Sequence, residues 1–378
     1  MLNNKKILFA AGGTGGHINP ALAVAGHIQQ NAPKAQILFV GTAEKMEAQL
    51  VPAAGFAFKS IDISGFRRDI SFESLKRNLS TLGKLVKSSR QAKKILQDFG
   101  PDVVVGMGGY VSGPVLRMAQ KLGIPTAIHE QNAYPGVANK AVAKNADCVM
   151  LSIAAAAQGL PTKGTVVLTG LPVRGELAGA DRAQSRLALG LDERPMILSM
   201  GGSLGARSVN EAVVQLILSK YKAADCYFMH ATGSDGTWVT GLLQQQGVAL
   251  EKEKHVIIRE YINDMERCLG AADLVVCRAG ASSLSEIQAL GKPSILIPSP
   301  NVAENHQYHN AMALVKNDAA VMIEEKDLTG ERLTQEVDKL LSDPSRMAQI
   351  GANAKKMAVP DSTQRIVACI ETLADKKK

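Results

Sequence analysis

Three glycine-rich turns, each following an apolar run, are where this chain can do chemistry. Gly12-Gly13-Thr14-Gly15-Gly16-His17 follows the run 7–11, Gly106-Met107-Gly108-Gly109-Tyr110-Val111-Ser112-Gly113 follows 103–105, and Gly201-Gly202-Ser203-Leu204-Gly205-Ala206 follows 196–200. Backbone without side chains approaches phosphate closely, and the N–H groups at the start of a following helix attract anions. His17 stands at the mouth of the first turn, just before a helix that Pro20 is expected to open. The positive end of that helix should lower the imidazole pKa and leave a neutral ring able to take a proton. The plainer reading of the same histidine is a hydrogen bond to backbone.

Further along, Arg278-Ala279-Gly280-Ala281-Ser282-Ser283-Leu284-Ser285-Glu286 again puts small residues at a helix start, suited to a pyrophosphate. Glu286 lies one to two turns in, where it can accept from both hydroxyls of a ribose; its plainer reading is a surface or capping carboxylate. Asn305-His306-Gln307-Tyr308-His309-Asn310 offers paired donors and acceptors for sugar hydroxyls, or a polar helix start capped by Asn305. His129-Glu130-Gln131-Asn132 closes a strand with four polar side chains. The first turn lacks the GxGxxG spacing, and the run 36–40 continues to Gly41-Thr42 without a ribose-binding carboxylate, so dinucleotide binding is disfavoured. No Asp-x-Asp occurs, and no His, Cys or carboxylate cluster has metal spacing. A diphosphate leaving group would then depend on helix N-termini, Arg174 and Ser203.

Such residues need strands that end at them and helices that begin there. Apolar runs at 6–11, 36–40, 103–106, 125–129, 147–151, 165–169, 196–200, 226–230, 255–259, 273–277, 294–298 and 320–323 read as strands. They are continuous, as in parallel strands buried on both faces. Their alternation with helix-length segments predicts an α/β fold of two doubly wound parallel sheets facing a cleft, with ligands at the carboxyl ends of the strands. At 378 residues the chain is too long for one ordinary core. The boundary is expected within 170–194, giving domains 1–170 and 171–360. The helix 361–375, with Asp361 as its cap, is expected to pack back on the first domain.

Hydrophobic residues make up 46% and charged residues 21%, a globular balance, and aromatics only 4%, too few for stacking platforms on nucleic acid. The net charge of +8 sits in the first half: residues 1–164 carry 19 Lys and Arg against 9 Asp and Glu, and the remainder 24 against 26. Within 67–94 nine basic residues face only Asp69 and Glu73, which suits an anionic partner. Leu75, Leu79, Leu82 and Leu85 form an apolar stripe there at helical spacing. The five cysteines make no CxxC pair, and Cys148 and Cys277 read as reduced core residues, implying a reducing compartment. No signal-peptide shape opens the chain and no apolar stretch reaches spanning length, so membrane contact is expected to be peripheral.

In order along the chain, GGTGGHINPALA, GMGGYVSGP, HEQNAYPGVANK, GLPVR, GGSLGAR, EYINDM, CRAGASSLSE and NHQYHNA resemble the signatures of the MurG family over residues 5–373. The resemblance implies a GT-B fold of two Rossmann-like domains. It implies inverting, metal-independent transfer of N-acetylglucosamine from UDP-N-acetylglucosamine to the C4 hydroxyl of the muramoyl sugar of lipid I, forming lipid II with a β-1,4 linkage and needing no cofactor. Residue by residue, it places Ser203 and the 281–283 backbone on the diphosphate with Arg174 close by, and draws Leu284 and Ser285 into the same segment. Ile262 would hold uracil, Glu286 ribose, and Gln307, with Asn310 and His306, the sugar. Thr14, Gly15, Gly16 and Asn132 would close over donor sugar and acceptor diphosphate. Many members have Asn where Leu171 stands, before Pro-Val-Arg. The candidate bases are His17 first and Glu130 second. The implied setting is the cytoplasmic face of the cell membrane, docked on anionic lipid through the leucine stripe with Lys84, Lys87, Lys140 and Lys144, alongside other cell-wall synthesis proteins. The alternatives are a GT-B transferase with another acceptor, a UDP-sugar 2-epimerase, and a non-catalytic scaffold; a nucleic-acid binder is disfavoured.

Overall fold

The structure, a computed structural model, describes residues 2–63, 72–173, 177 and 179–376, with the backbone alone over 72–85. The chain divides into two compact units, Met1–Pro172 with Asp361–Lys378, and Val173–Pro360. The first holds strands β1 (Lys6–Ala10), β2 (Gln36–Gly41), β3 (Ala57–Ser60), β4 (Val103–Gly106), β5 (Thr126–Glu130), β6 (Cys148–Leu151) and β7 (Thr165–Leu168), in the spatial order β3-β2-β1-β4-β5-β6-β7. The second holds β8 (Met196–Met200), β9 (Tyr227–Ala231), β10 (Val256–Arg259), β11 (Leu274–Cys277), β12 (Ser294–Leu296) and β13 (Val321–Met322), in the order β10-β9-β8-β11-β12-β13. All these pairings are parallel.

The continuous apolar runs are the sequence image of this burial. Along β1, Ile7 and Phe9 enter one layer, with Val24 and Ile28 of the helix Gly15–Asn31, while Leu8 and Ala10 enter the opposite layer with Leu96 and Leu116. The C-terminal helix Ser362–Ala374 adds Ile366, Ile370 and Leu373 to the first of these layers, and Lys5 donates to the Ala374 carbonyl at 2.9 Å.

Three local readings of the sequence need correction. Strand β3 was not legible, because an edge strand of sequence AFKS is largely exposed and has no apolar run. The helix after the first glycine turn begins at Gly15, with Pro20 inside it. A proline there costs one intrahelical bond, to the Gly16 carbonyl, and sits close enough to the start to be tolerated. Asp361 and Asn305 occupy N-cap positions without a side-chain capping bond; Asp361 pairs with Arg365 at 2.9 Å instead.

In both sheets the chain winds outward on one side and then returns, so β1 separates β2 from β4, and β8 separates β9 from β11. The crevice at such a reversal is where open parallel sheets collect ligands. In the first unit it lies between the turns after β1 and β4, which interlock. Gly109 has φ +80, and a Cβ on it would stand 2.2 Å from the Gly12 carbonyl oxygen, so only glycine fits. Ser112 Oγ lies 2.8 Å from the carbonyls of both Ala10 and Gly108. In the second unit the corresponding crevice lies between the Gly201–Gly205 turn and residues 279–283. On its other side the turn is braced by the segment after β9, where the Ser234 N–H donates to the Ser203 carbonyl and the Asp235 N–H to the Leu204 carbonyl, at 3.3 and 3.0 Å.

Candidate active site

His17 sits in the first turn of its helix. Its Nδ1 lies 3.1 Å from the Gly12 carbonyl and 3.2 Å from Thr14 Oγ1. A carbonyl only accepts, so Nδ1 carries the hydrogen, and Nε2 is the basic nitrogen of the neutral ring. The turn itself is held from below by Glu47, a fully buried carboxylate that the sequence reading did not single out. It accepts from Thr42 N–H at 3.0 Å, Thr42 Oγ1 at 2.7 Å and Gly13 N–H at 3.2 Å. The Gly13 N–H therefore points into the protein, and the anion-facing groups of this turn are those of the helix start at Gly15 and Gly16. Thr14 and Gly16 are exposed and Gly15 is half-buried.

The end of β5 is a different kind of polar cluster. Glu130 is 1% exposed, and both of its oxygens are occupied. Oε1 accepts from Asn132 N–H at 2.9 Å and Asn132 Nδ2 at 3.3 Å; Oε2 accepts from Gly136 N–H at 3.0 Å and Asn139 Nδ2 at 2.9 Å. This carboxylate shapes the 131–136 loop and anchors the helix Val137–Ala143. His129 is fully buried and donates from Nε2 to the Gly170 carbonyl at 2.9 Å. Burial pushes it down to about 4, so it is neutral at pH 7, with Nδ1 an acceptor.

The second unit holds a cavity of about 430 Å³ at its switch point, lined by Gly201, Gly205, Arg278, Gly280, Ser283 and Gln307 among others. The helix Ala281–Leu290 opens into it from an extended Gly280. In an α-helix the first N–H groups lack intrahelical partners, which makes 281–283 an anion-facing edge. Leu284 is 1% exposed and its N–H donates to the Gly280 carbonyl at 3.0 Å, so it serves the core. Glu286 is 8% exposed and lies near enough to Cys277 to help burial push that thiol up to about 12. Ser203 is exposed on the facing turn. Gln307 accepts from Ser299 N–H at 2.9 Å, which turns its NH₂ group the other way as a donor. Asn310 is fully buried and bonds the Ala279 carbonyl at 3.1 Å, so it supports the loop. Ile262 is 1% exposed beside a half-exposed Tyr261, and the Arg259–Asp264 ion pair at 2.6 Å closes the loop that carries it.

Two members of this cavity were not chosen from sequence. Arg278 is paired with Glu325 and donates to the Ile297 carbonyl at 3.2 Å and to Ser208 Oγ at 3.4 Å, so a guanidinium lines the anion-facing edge. Its position directly after β11, at the sheet's switch point, is the signal that marks it. Glu325 is far away in sequence and carries no such signal.

Arg174 lies outside the described residues, as do the side chains of Leu75, Leu79, Leu82, Lys84 and Leu85. Leu171 is buried at 3% exposure. Lys87 pairs with Asp62 at 2.6 Å, Lys140 stands 3.9 Å over the Tyr134 ring, and Lys144 is exposed. All five cysteines are free thiols, with Cys148 and Cys277 buried. Among the described residues no helix is long and apolar enough to cross a membrane, and no group of three or more His, Cys, Asp and Glu is placed to hold a metal ion.

Comparison with known proteins agrees with this two-unit plan. Residues 7–151 match the glycosyltransferase family 28 N-terminal domain, and residues 196–366 the family 28 C-terminal domain. The chain is 42% identical over 373 residues to the UDP-N-acetylglucosamine–N-acetylmuramyl-(pentapeptide) pyrophosphoryl-undecaprenol N-acetylglucosamine transferase of Acetivibrio thermocellus, covering 98% of this chain and 99% of the relative. It is 41% identical over 375 residues to the transferase of the same name from Desulforamulus reducens, covering 99% and 100%. The crystal structure of Acinetobacter baumannii MurG superposes with a TM-score of 0.78 at 29% identity, over 97% of this chain and 99% of that one. The chain has the GT-B fold and belongs to the MurG family of these N-acetylglucosamine transferases.

Proposed function

We propose that this chain transfers N-acetylglucosamine from UDP-N-acetylglucosamine to lipid I, forming lipid II for peptidoglycan synthesis. Near-full-length similarity to transferases of that name carries the reading, and it disfavours the 2-epimerase alternative. The division of labour we assign follows the two units. In the second unit the 281–283 N–H groups, Ser203 and Arg278 receive the diphosphate, with Arg174 joining them. Glu286 receives the ribose hydroxyls, Ile262 the uracil through its backbone, and the Gln307 NH₂ a sugar hydroxyl. In the first unit Thr14, Gly15 and Gly16 present a helix start to the acceptor diphosphate.

His17 Nε2 is the base. It takes the proton from the acceptor O4 as O4 bonds to C1; the C1–O bond breaks, and its electron pair leaves with the β-phosphate of UDP. Attack opposite the leaving group inverts C1. Glu130, with both oxygens engaged, keeps the 131–136 loop in place. Asn132, held by Glu130, faces the substrates from that loop. The helix-start N–H groups and the guanidinium neutralise the leaving diphosphate. With a soluble lipid I analogue in excess EDTA, the disaccharide product should form at an undiminished rate and show the large anomeric proton coupling of a β-linkage. An α-product, or activity abolished by EDTA and restored by Mg²⁺, would contradict this mechanism.

The lipid-linked acceptor calls for contact with the membrane surface, which the basic first unit supplies. Each Lys or Arg near anionic lipid is worth about 1 kcal/mol and is screened by salt. Neutralising Lys84 and Lys140, each to Gln, should weaken binding to phosphatidylglycerol vesicles by about thirtyfold, the size expected from removing two such charges. Equal binding to neutral and anionic vesicles would remove the electrostatic part of this reading.

A further inference from the structure

Gln131, beside His17, has an amide whose orientation is fixed at one end and unsatisfied at the other. It is 3% exposed. Its Nε2 donates to the Met107 carbonyl at 2.8 Å and lies 3.1 Å from His129 Nδ1. His129 Nδ1 is an acceptor, because its Nε2 hydrogen goes to Gly170. Turning the amide over would set its oxygen against two acceptors, the Met107 carbonyl and His129 Nδ1, so the NH₂ group stays where it is and Oε1 points the other way. There Oε1 is buried without a hydrogen-bond partner. A buried acceptor left unmade is costly and calls for an explanation.

The location of Oε1 supplies one. Gly108 lies between the two side chains with φ +99, and a Cβ on it would stand 2.8 Å from His17 Nε2 and 3.2 Å from Gln131 Oε1. The two atoms thus border the same small gap, which glycine keeps open. Neutral His17 has no hydrogen on Nε2 to offer. Protonated His17 does.

We propose that Gln131 is a positioning residue for His17, its Oε1 accepting a hydrogen bond from Nε2 once that nitrogen has taken a proton. Gly170, His129 and Gln131 then form a relay of fixed dipoles that holds an acceptor ready for the imidazolium. Other charged or titratable groups surround the ring. Glu47 lies beneath the turn and Tyr110 against Gly13, while neutral His129 stands behind Gln131. Glu44 lies near Tyr110, whose pKa burial raises. Glu47 is engaged by Thr42 and the Gly13 N–H, so Gln131 Oε1 is the acceptor left over on this side of the ring. The kinetic consequence rests on the reading of His17 as base; the hydrogen bond itself does not.

The test separates the two. Protein labelled with ¹⁵N-histidine is titrated by NMR, with His17 assigned from His17→Gln, for wild type, Gln131→Met and Gln131→Glu. A hydrogen bond to a charged group is of the size that moves a titration midpoint by about one pH unit. Gln131→Met should therefore lower the His17 midpoint by about that much. Gln131→Glu keeps the acceptor at Oε1, while its other oxygen, set against the Met107 carbonyl and His129 Nδ1, holds a proton that it can release when His17 charges, and should raise the midpoint. The acidic limb of kcat/KM should follow in each direction, with the KM for UDP-N-acetylglucosamine unchanged. A merely structural glutamine would make both variants shift alike or leave the midpoint unmoved, and either result overturns the proposal. Opposite shifts of the midpoint without movement of the kinetic limb would keep the hydrogen bond and reject His17 as base. Gln131→Glu alone still reports the sign if Gln131→Met does not fold.

Discussion

Replacing His17 with alanine should lower turnover by about 10²–10⁴-fold, the usual contribution of a positioned general base. The reason lies in the ring's orientation. The Gly12 carbonyl takes the Nδ1 hydrogen, so one tautomer is selected and Nε2 is basic before substrate arrives. Alanine removes that nitrogen and nothing that the second unit uses for nucleotide. The dissociation constant for UDP, measured calorimetrically, should therefore stay within about twofold of wild type. His17→Gln is the sharper variant, since it keeps a polar side chain of comparable reach without a base of useful pKa. If His17→Gln turned over normally at pH 7, the proton would have to go elsewhere. Glu130 would be a poor substitute, because its two oxygens already accept four hydrogen bonds.

Replacing Glu286 with alanine should act on the other substrate. Two charge-assisted hydrogen bonds to ribose hydroxyls, at about 1–2 kcal/mol each, correspond to a loss of roughly 10²-fold in affinity for UDP and for the UDP-sugar. The effect should appear in KM for the donor far more than in kcat, because the ribose is bound equally in ground and transition states. The carboxylate is nearly buried in the helix that opens at Gly280, whose neighbours Leu284 and Ile287 enter the core. Glu286→Gln keeps that packing and should lose less, about tenfold, by giving up charge and one acceptor. Uridine 2′-deoxynucleotide should bind wild type more weakly than UDP, but Glu286→Ala equally well. A Glu286→Ala protein that binds UDP normally would remove ribose from this residue's role.

Much of this arrangement was legible in the sequence because parallel strands buried on both faces leave continuous apolar runs, and the turns that follow them are where such sheets bind ligands. The strand and the helix start that were misread had weak local signals: β3 is an exposed edge, and Pro20 lies inside its helix. The supporting residues are a different matter. Glu47 reaches the Gly13 N–H across a loop, Asn310 holds the Ala279 carbonyl, and Arg278 finds Glu325 from a distant part of the chain. None of these pairings has a sequence spacing to betray it, because tertiary folding alone brings the partners together. The same holds for Glu130. As a carboxylate at a strand end it reads as a candidate base, and nothing in its place in the sequence announces the four hydrogen bonds that tie it to Asn132, Gly136 and Asn139.

The most direct test is transfer itself. Purified protein is incubated with labelled UDP-N-acetylglucosamine and a lipid I analogue, with the acceptor omitted in a parallel reaction and His17→Gln run alongside. The account predicts acceptor-dependent appearance of label in the lipid product, stoichiometric release of UDP, and a loss of both in the variant. Release of UDP or formation of an epimerised nucleotide sugar without acceptor, and no labelled lipid with it, would contradict the assignment of this chain as the enzyme that makes lipid II.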